Sequence, residues 1–228
     1  MNHHFTIAID GPSGAGKSTI ARAVAERTGA LYLDTGAMYR AVALWMLGHG
    51  IDPDDASAVA SHVGSVMLDV LYEDGRQKVY LDGEDVTDAI RAGAVSTAAS
   101  KTSAVPAVRE RLVAMQREIC AGRSAVMDGR DIGTKVLPDA TLKIFLVASA
   151  EERARRRYLE LKAQGGGDSY ESVLEAMRIR DRDDSTRAAS PLKKADDAVE
   201  LDSSELTLDE TVERALQLLR DRLGGGAS

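Results

Sequence analysis

One cysteine, Cys120, is present in 228 residues, so no intramolecular disulfide can form. It sits on an apolar helical stretch, where a small core residue is expected rather than a nucleophile. A lone thiol suits a reducing compartment, and the cytoplasm is the expected location. No run approaches the roughly 20 apolar residues of a membrane span, and no apolar leader precedes the first strand, so a soluble, unexported chain is expected. His3, His4, His49 and His62 lack metal-ligand spacing. There is no histidine-based triad, no obvious nucleophile and no pair of carboxylates placed as acid and base. Cations are outnumbered, 29 Lys and Arg against 36 Asp and Glu, and the net charge of −7 argues against broad binding to nucleic acid or an anionic membrane. Asn2 is the only asparagine, which excludes the Asn-Lys-x-Asp element that a guanine-reading switch protein needs. Neither a repeat nor an interdomain linker is evident, so residues 1–228 are expected to form a single domain.

What is present begins with Gly11, Pro12, Ser13, Gly14, Ala15, Gly16, Lys17 and Ser18, followed by Thr19. They match the phosphate-binding loop G-x-x-x-x-G-K-[ST] at every fixed position. The apolar run Phe5–Ile9 precedes the loop, and good helix formers from Thr19 to Glu26 follow it, giving the required order of strand, loop and helix. The loop's backbone N–H groups and the helix N-terminus would face a polyphosphate. Lys17 would reach its β- and γ-phosphates, and the Ser18 hydroxyl would ligate Mg²⁺. A glycine-rich turn that binds nothing is the bland alternative, and the flanking elements argue against it.

Further along, Ala30–Asp34 reads as a second strand, and Thr35-Gly36 as the turn into a helix running towards Leu47. Tyr39 and Arg40 in its first turn make a second anion site plausible. From Met67 to Val86 apolar residues alternate around Asp74-Gly75 and Asp82-Gly83, both hairpin signals. An antiparallel insertion over about 62–100 is expected, either as decoration or as a cover for substrate. Pro106–Ala121 is predicted helical, with Val108, Leu112, Met115 and Ile119 on one face and Arg109 bordering it.

Ser124–Met127 forms a short strand ending in Asp128-Gly-Arg-Asp-Ile-Gly-Thr134, charged residues between glycines where ligands enter α/β sheets. Thr141–Val147 is a further strand. Ser149-Ala-Glu-Glu152 is a capping box ahead of an arginine-dense helix, in which Arg153, Arg156 and Arg157 share a sector. This is either a solvated face or a phosphate-facing lid over about 150–190, with Gly165–Gly167 as a hinge. A helix from Tyr170 to Ala188 aligns Arg180, Asp184 and Arg187 on one stripe. Ala198–Asp202 reads as a last strand. Thr207-Leu-Asp-Glu210 caps a helix with Leu208, Val212, Leu216, Leu219 and Leu223 apolar, and Gly224–Ser228 should fray. Five parallel strands separated by helices indicate a three-layer α/β fold with a central parallel five-stranded sheet.

One phosphate loop, several arginines after later strands and no strong general base suit phosphoryl transfer to an acceptor that is already anionic. The phosphate of a second nucleotide is such an acceptor. At this point Gly11–Ser18, Leu33-Asp-Thr-Gly-Ala-Met-Tyr-Arg40, Asp128–Thr134 and Arg180–Leu192 resemble the successive signatures of the bacterial cytidylate kinase family, over about Phe5 to Leu223. The resemblance implies a P-loop kinase fold and MgATP-dependent phosphorylation of CMP and dCMP, with UMP a poorer acceptor. It implies that Thr35, Tyr39, Arg40 and Arg130 surround the acceptor phosphate, that Asp184 and Arg187 contact the pentose, and that Ser100, Arg109 and Asp131 read cytosine. Lys17, Arg130, Arg153, Arg157 and Arg180 are the implied charge stabilisers. Thr35 replaces the family's more familiar serine. Val147 stands where an aspartate often follows the strand before the lid, leaving Asp34 as a candidate for positioning Mg²⁺. Another small P-loop kinase and a non-catalytic nucleotide-binding module are the alternatives, and a monomer is expected.

Overall fold

Short strands of aliphatic and β-branched residues organise the computed structural model, which describes residues 4–73, 75–163, 165–187 and 189–224. Strands β1 (Thr6–Asp10), β2 (Leu31–Asp34), β6 (Ala125–Gly129), β7 (Leu142–Val147) and β8 (Val199–Asp202) form one sheet in the order β2-β6-β1-β7-β8. The β1–β6, β1–β7 and β7–β8 pairs are parallel. Asp10 stands opposite Gly129 on one side and Phe145 on the other. The loops that leave β1 and β6 therefore start from the same edge of the sheet, the edge where α/β proteins bind ligands. The chain forms two compact units, residues 1–32 with 122–228 and residues 33–121.

In the first unit, helices α1 (Lys17–Thr28) and α8 (Leu208–Gly224) cover the sheet. Ile7, Ile9, Ile20, Val24, Val126, Ile144, Leu146, Val212 and Leu219 interlock in their common core. The buried stripe of α8 is Thr211, Val212, Ala215 and Leu219. Leu208 and Leu223, expected on that stripe, are exposed because they occupy the terminal turns. Its N-terminus carries the expected reciprocal cap: Thr207 N donates to Glu210 Oε2 at 2.8 Å and Glu210 N to Thr207 Oγ1 at 3.3 Å. Helices α6 (Ala150–Ala163) and α7 (Tyr170–Thr186) pack through Ala154, Val173 and Met177. α7 ends at Thr186, with Arg187 as its C-cap, ahead of the expected boundary at Ala188. Ala188 and residues 225–228 lie outside the described residues.

The second unit pairs α2 (Thr35–Gly48) with α4 (Gly93–Thr102) through Ala43, Val95, Ala98 and Ala99. It also holds α3 (Ala56–His62), α5 (Pro106–Cys120) and the antiparallel ribbon β3 (Leu68–Glu73), β4 (Arg76–Leu81) and β5 (Glu84–Asp85). Leu68 faces Leu81 and Val70 faces Val79, the register that the alternation called for. At the second hairpin Asp82 and Gly83 have φ of 50° and 86°, the mirror-image turn for which Asp-Gly is suited. Asp74 of the first pair lies outside the described residues. On α5 the structure buries Val108, Arg109, Leu112, Gln116 and Cys120, leaving Met115 and Ile119 half-buried. Stepping by four keeps residues 108, 112, 116 and 120 on one side, so Gln116 takes the place expected for Met115. Among the described residues no helix is long and apolar enough to cross a membrane.

Candidate active site

The phosphate loop emerges from β1 and returns into α1 at Lys17. Gly11 passes so close to β7 that a Cβ there would sit 2.0 Å from the Leu146 carbonyl oxygen, so this position admits only glycine. Gly16 is the N-cap of α1 in a left-handed conformation, φ 89°. Pro12, Ser13, Gly14 and Ala15 form the turn between them, with Ser18 and Thr19 exposed in the first turn of the helix. Lys17 is buried and donates from Nζ to the Pro12 carbonyl at 2.7 Å. Burial, and then the nearby Arg130 charge, hold its ammonium group well below the ordinary lysine range, while Asp128, Asp10 and Asp184 oppose that shift. An incoming polyphosphate would supply the missing negative charge.

Ser18 does not point into empty solvent. Its hydroxyl donates to Asp128 Oδ2 at 2.8 Å, and the Tyr32 hydroxyl donates to Asp128 Oδ1 at 2.9 Å. Asp34, the sequence-based candidate for positioning Mg²⁺, instead accepts from Ala37 N at 2.9 Å and pairs with Arg40 at 3.0 Å. Asp128 is therefore the carboxylate beside the Ser18 hydroxyl. Two hard oxygens side by side are the donor set Mg²⁺ takes, because it binds through one or two carboxylates together with phosphates and water. Among the described residues no cluster of three or more His, Cys, Asp or Glu stands ready for a metal, and a phosphate-borne Mg²⁺ needs none.

Behind Asp128, Arg130 donates from Nε to Asp184 Oδ2 at 2.8 Å. Arg187, past the end of α7, donates from Nε to the Ser190 carbonyl at 2.7 Å and lies 3.7 Å from Asp184 Oδ1. Burial alone would raise the Asp184 carboxyl, but the charges of Arg130, Arg180 and Arg187 outweigh it and hold Asp184 below the usual carboxylate range. The structure thus brings Arg130, Arg180, Asp184 and Arg187 together, with Asp131 buried in the same loop as Arg130.

It does not place the arginines of α6 with them. Arg153 is buried and fully engaged: Nε donates to Ala148 O, Nη1 to Ser13 O at 3.0 Å, and the fork pairs with Asp181 at 3.1 and 2.7 Å. Arg156 is held by Glu152 and the Ser203 carbonyl. Arg157 is exposed and pairs with Glu160 at 3.2 Å.

In the second unit, Thr35 is the first residue of α2 and is buried. Arg109 is buried with its guanidinium 5.3 Å from the Tyr39 ring centroid and Nη1 donating to Ser103 O at 3.0 Å. Ser100 lies one turn before, its carbonyl accepting from the Ser103 hydroxyl at 3.0 Å. Arg40 folds back over Gly36 onto Asp34. Gln77 from β4 clamps this turn, its Oε1 accepting from Asp34 N at 2.7 Å and its Nε2 donating to Asp34 O at 3.1 Å. Sequence reasoning missed Gln77, an amide in a strand that carries no signal until the chain is folded. Although it placed Asp128 in a ligand-facing run, it missed the ties of Asp128 to Ser18 and of Asp181 to Arg153.

The family model for cytidylate kinase matches residues 7–221 of this chain. A cytidylate kinase of Caldicellulosiruptor bescii is 50% identical over 94% of this chain and 95% of its own length. One of Geobacillus thermodenitrificans is 47% identical over 98% and 100%. Among solved structures, a gluconokinase from Sinorhizobium meliloti shares the fold at a TM-score of 0.51 and 18% identity, covering 98% of each chain. A phosphate loop backed by a carboxylate, an arginine cluster after the later strands and a near full-length match at about half identity lead to one assignment: the chain belongs to the cytidylate kinase family.

Proposed function

We propose that this enzyme transfers the γ-phosphoryl group of MgATP to CMP or dCMP, giving ADP and CDP or dCDP, with UMP a poorer acceptor. The observation that carries the reading is the cytidylate kinase match across residues 7–221. The backbone N–H groups of residues 13–18 and the Lys17 side chain hold the β- and γ-phosphates of ATP, as the geometry of the loop supports. Ser18, with Asp128 behind it, would hold Mg²⁺, which when bound neutralises charge on the β- and γ-oxygens. The acceptor oxygen on CMP is already anionic, so no general base is required; alignment and positive charge do the chemistry.

Thr35, Tyr39, Arg40 and Arg130 take the acceptor phosphate. Arg130 and Arg180 stabilise the charge that spreads over the transferring group, through planar donation of several N–H groups. Asp184, kept ionised by its arginines, and Arg187 contact the pentose. Ser100, Arg109 and Asp131 read cytosine: the 4-amino group donates to the Asp131 carboxylate, and N3 and O2 accept from the guanidinium and the hydroxyl. Uracil would set a carbonyl against that carboxylate, a mismatch that costs more than a lost contact. Residues 62–100 serve acceptor binding, and α6 and α7 form a lid. Arg153 serves the reaction by joining that lid to the phosphate loop, while Arg157 stands exposed on it, paired with Glu160. A cytoplasmic location accords with a single buried thiol, and the enzyme acts as a monomer.

ADP formation from MgATP, followed with CMP, dCMP, UMP, AMP and GMP in turn, tests this reading. Turnover should require an acceptor and be highest with the two cytidylates. Equal rates with every acceptor would contradict it, and so would turnover that ignores the acceptor.

A further inference from the structure

Asp10 is a buried carboxylate to which the reaction assigns no role. It ends β1 immediately before the phosphate loop and is 5% exposed. Ile132 N donates to its Oδ1 at 2.8 Å and Gly133 N to its Oδ2 at 2.7 Å. Burial pushes its carboxyl up to about 6 even against those two bonds and the Lys17 charge, with Asp131 adding to the rise. A carboxylate in such a place carries a steep desolvation penalty, so a reason is needed for keeping it. Geometry supplies one. Two parallel N–H groups need an acceptor at both oxygens, which Asp offers and Asn does not.

The same peptide is fixed from the other side. A Cβ on Gly133 would meet Lys143 Cδ at 3.1 Å and Asp10 Oδ2 at 3.4 Å, so the lysine stem and the carboxylate hold this backbone between them. Lys143 is itself buried on β7 and tied to Asp197 at 2.8 Å. A helical turn, Ile132–Val136, begins at this peptide, and the Asp131 carbonyl accepts from Lys135 N at 2.8 Å. With the peptide after it pinned and the turn closed onto its carbonyl, Asp131 has its backbone set, and Arg130 precedes it directly.

We propose that Asp10 is a positioning residue for the acceptor side of the reaction: by holding the Ile132–Gly133 peptide it aims Asp131 and Arg130, so one carboxylate at the root of the donor loop orders the groups that bind CMP. The inference rests on the reading that Arg130 and Asp131 contact the acceptor. The charged groups that act on Asp10 are Asp131 in the loop and Lys17 from α1. Lys143 from β7 packs its stem against Gly133 with its ammonium on Asp197, and Asp128 from β6, which also faces Lys17, is engaged by Ser18 and Tyr32.

Asp10→Asn keeps the volume of the side chain and replaces one acceptor by a donor. Its KM for CMP should rise roughly tenfold or more, with the KM for MgATP nearly unchanged. Amide exchange at Ile132 and Gly133, measured by NMR without substrate, should quicken relative to β1. Asp131→Ala is assayed alongside. If it raises the KM for CMP and Asp10→Asn does not, the inference fails while the parent reading stands. If Asp131→Ala has no effect but Asp10→Asn frees the two amides, the anchor stands and the reading of Asp131 fails. Should Asp10→Asn not fold, the wild-type protein decides. Protection of the Ile132 and Gly133 amides, corrected for intrinsic exchange, should fall relative to β1 as pH drops through about 6 and the carboxylate gains its proton. Unchanged relative protection across that range would overturn the anchoring role.

Discussion

Asp128 shows how a single side chain changes its meaning on folding. In sequence it opens a run of charged residues between glycines; in the sheet it stands in β6, next to β1, and receives the Ser18 hydroxyl. If the pair holds Mg²⁺, Asp128→Asn should weaken apparent Mg²⁺ affinity roughly 10–100-fold, as loss of a supporting ligand does. A Mg²⁺ titration of activity at fixed ATP measures this, and an unchanged half-saturation point would remove Asp128 from the metal site. Lys17 and Ser18 were legible as residues because the loop is a local motif. Asp128 was not legible as their partner, because parallel pairing across more than a hundred residues brought it there. Asp34 also ends a strand, but the helix that follows takes its carboxylate as an N-cap, and Arg40 pairs with it.

At the scale of elements, α6 and α7 meet the phosphate loop through Arg153, whose guanidinium spans Ser13 and Asp181. Asp181→Ala would leave a buried guanidinium short of its charged partner. Amide exchange in α7 should then quicken by roughly tenfold or more, the scale of one lost charge-assisted hydrogen bond. Exchange confined to wild-type rates would show that Met177 and Val173 hold the pair without the ion bridge. The helices themselves were readable from capping boxes and spacing, and the ribbon β3–β5 from alternation and Asp-Gly turns. What the pattern could not yield was the burial of individual residues. The four-residue step on α5 selects Gln116 and Cys120 over Met115 and Ile119, and the dense arginines of α6, which look alike in sequence, divide into a buried clamp, Arg153, and an exposed ion pair, Arg157.

For the whole molecule, two buried carboxylates set opposite pH dependences. The folded state raises the Asp10 carboxyl from 3.8 to about 6 and so binds its proton more tightly than the unfolded chain does. Its contribution to stability is therefore greatest below pH 3.8 and is lost as pH rises through about 6. Asp184 is held low, so its contribution is present above the ordinary 3.8 and is lost as pH falls through its folded value. The unfolding free energy of the wild type, measured against that of Asp10→Asn, should drop by about 2 kcal/mol between about pH 4 and pH 7. A difference independent of pH would mean that the Asp10 carboxyl is not raised by folding. The cytosine-reading role proposed for Ser100, Arg109 and Asp131 tests the account of the whole enzyme most directly, through kcat/KM for CMP divided by kcat/KM for UMP, in the wild type and in Asp131→Ala. The account predicts that this ratio collapses by roughly 100-fold or more in the variant, because a group built to hydrogen-bond the 4-amino position discriminates far more strongly than apolar contact does. Equal losses on CMP and UMP, leaving the ratio unchanged, would contradict it.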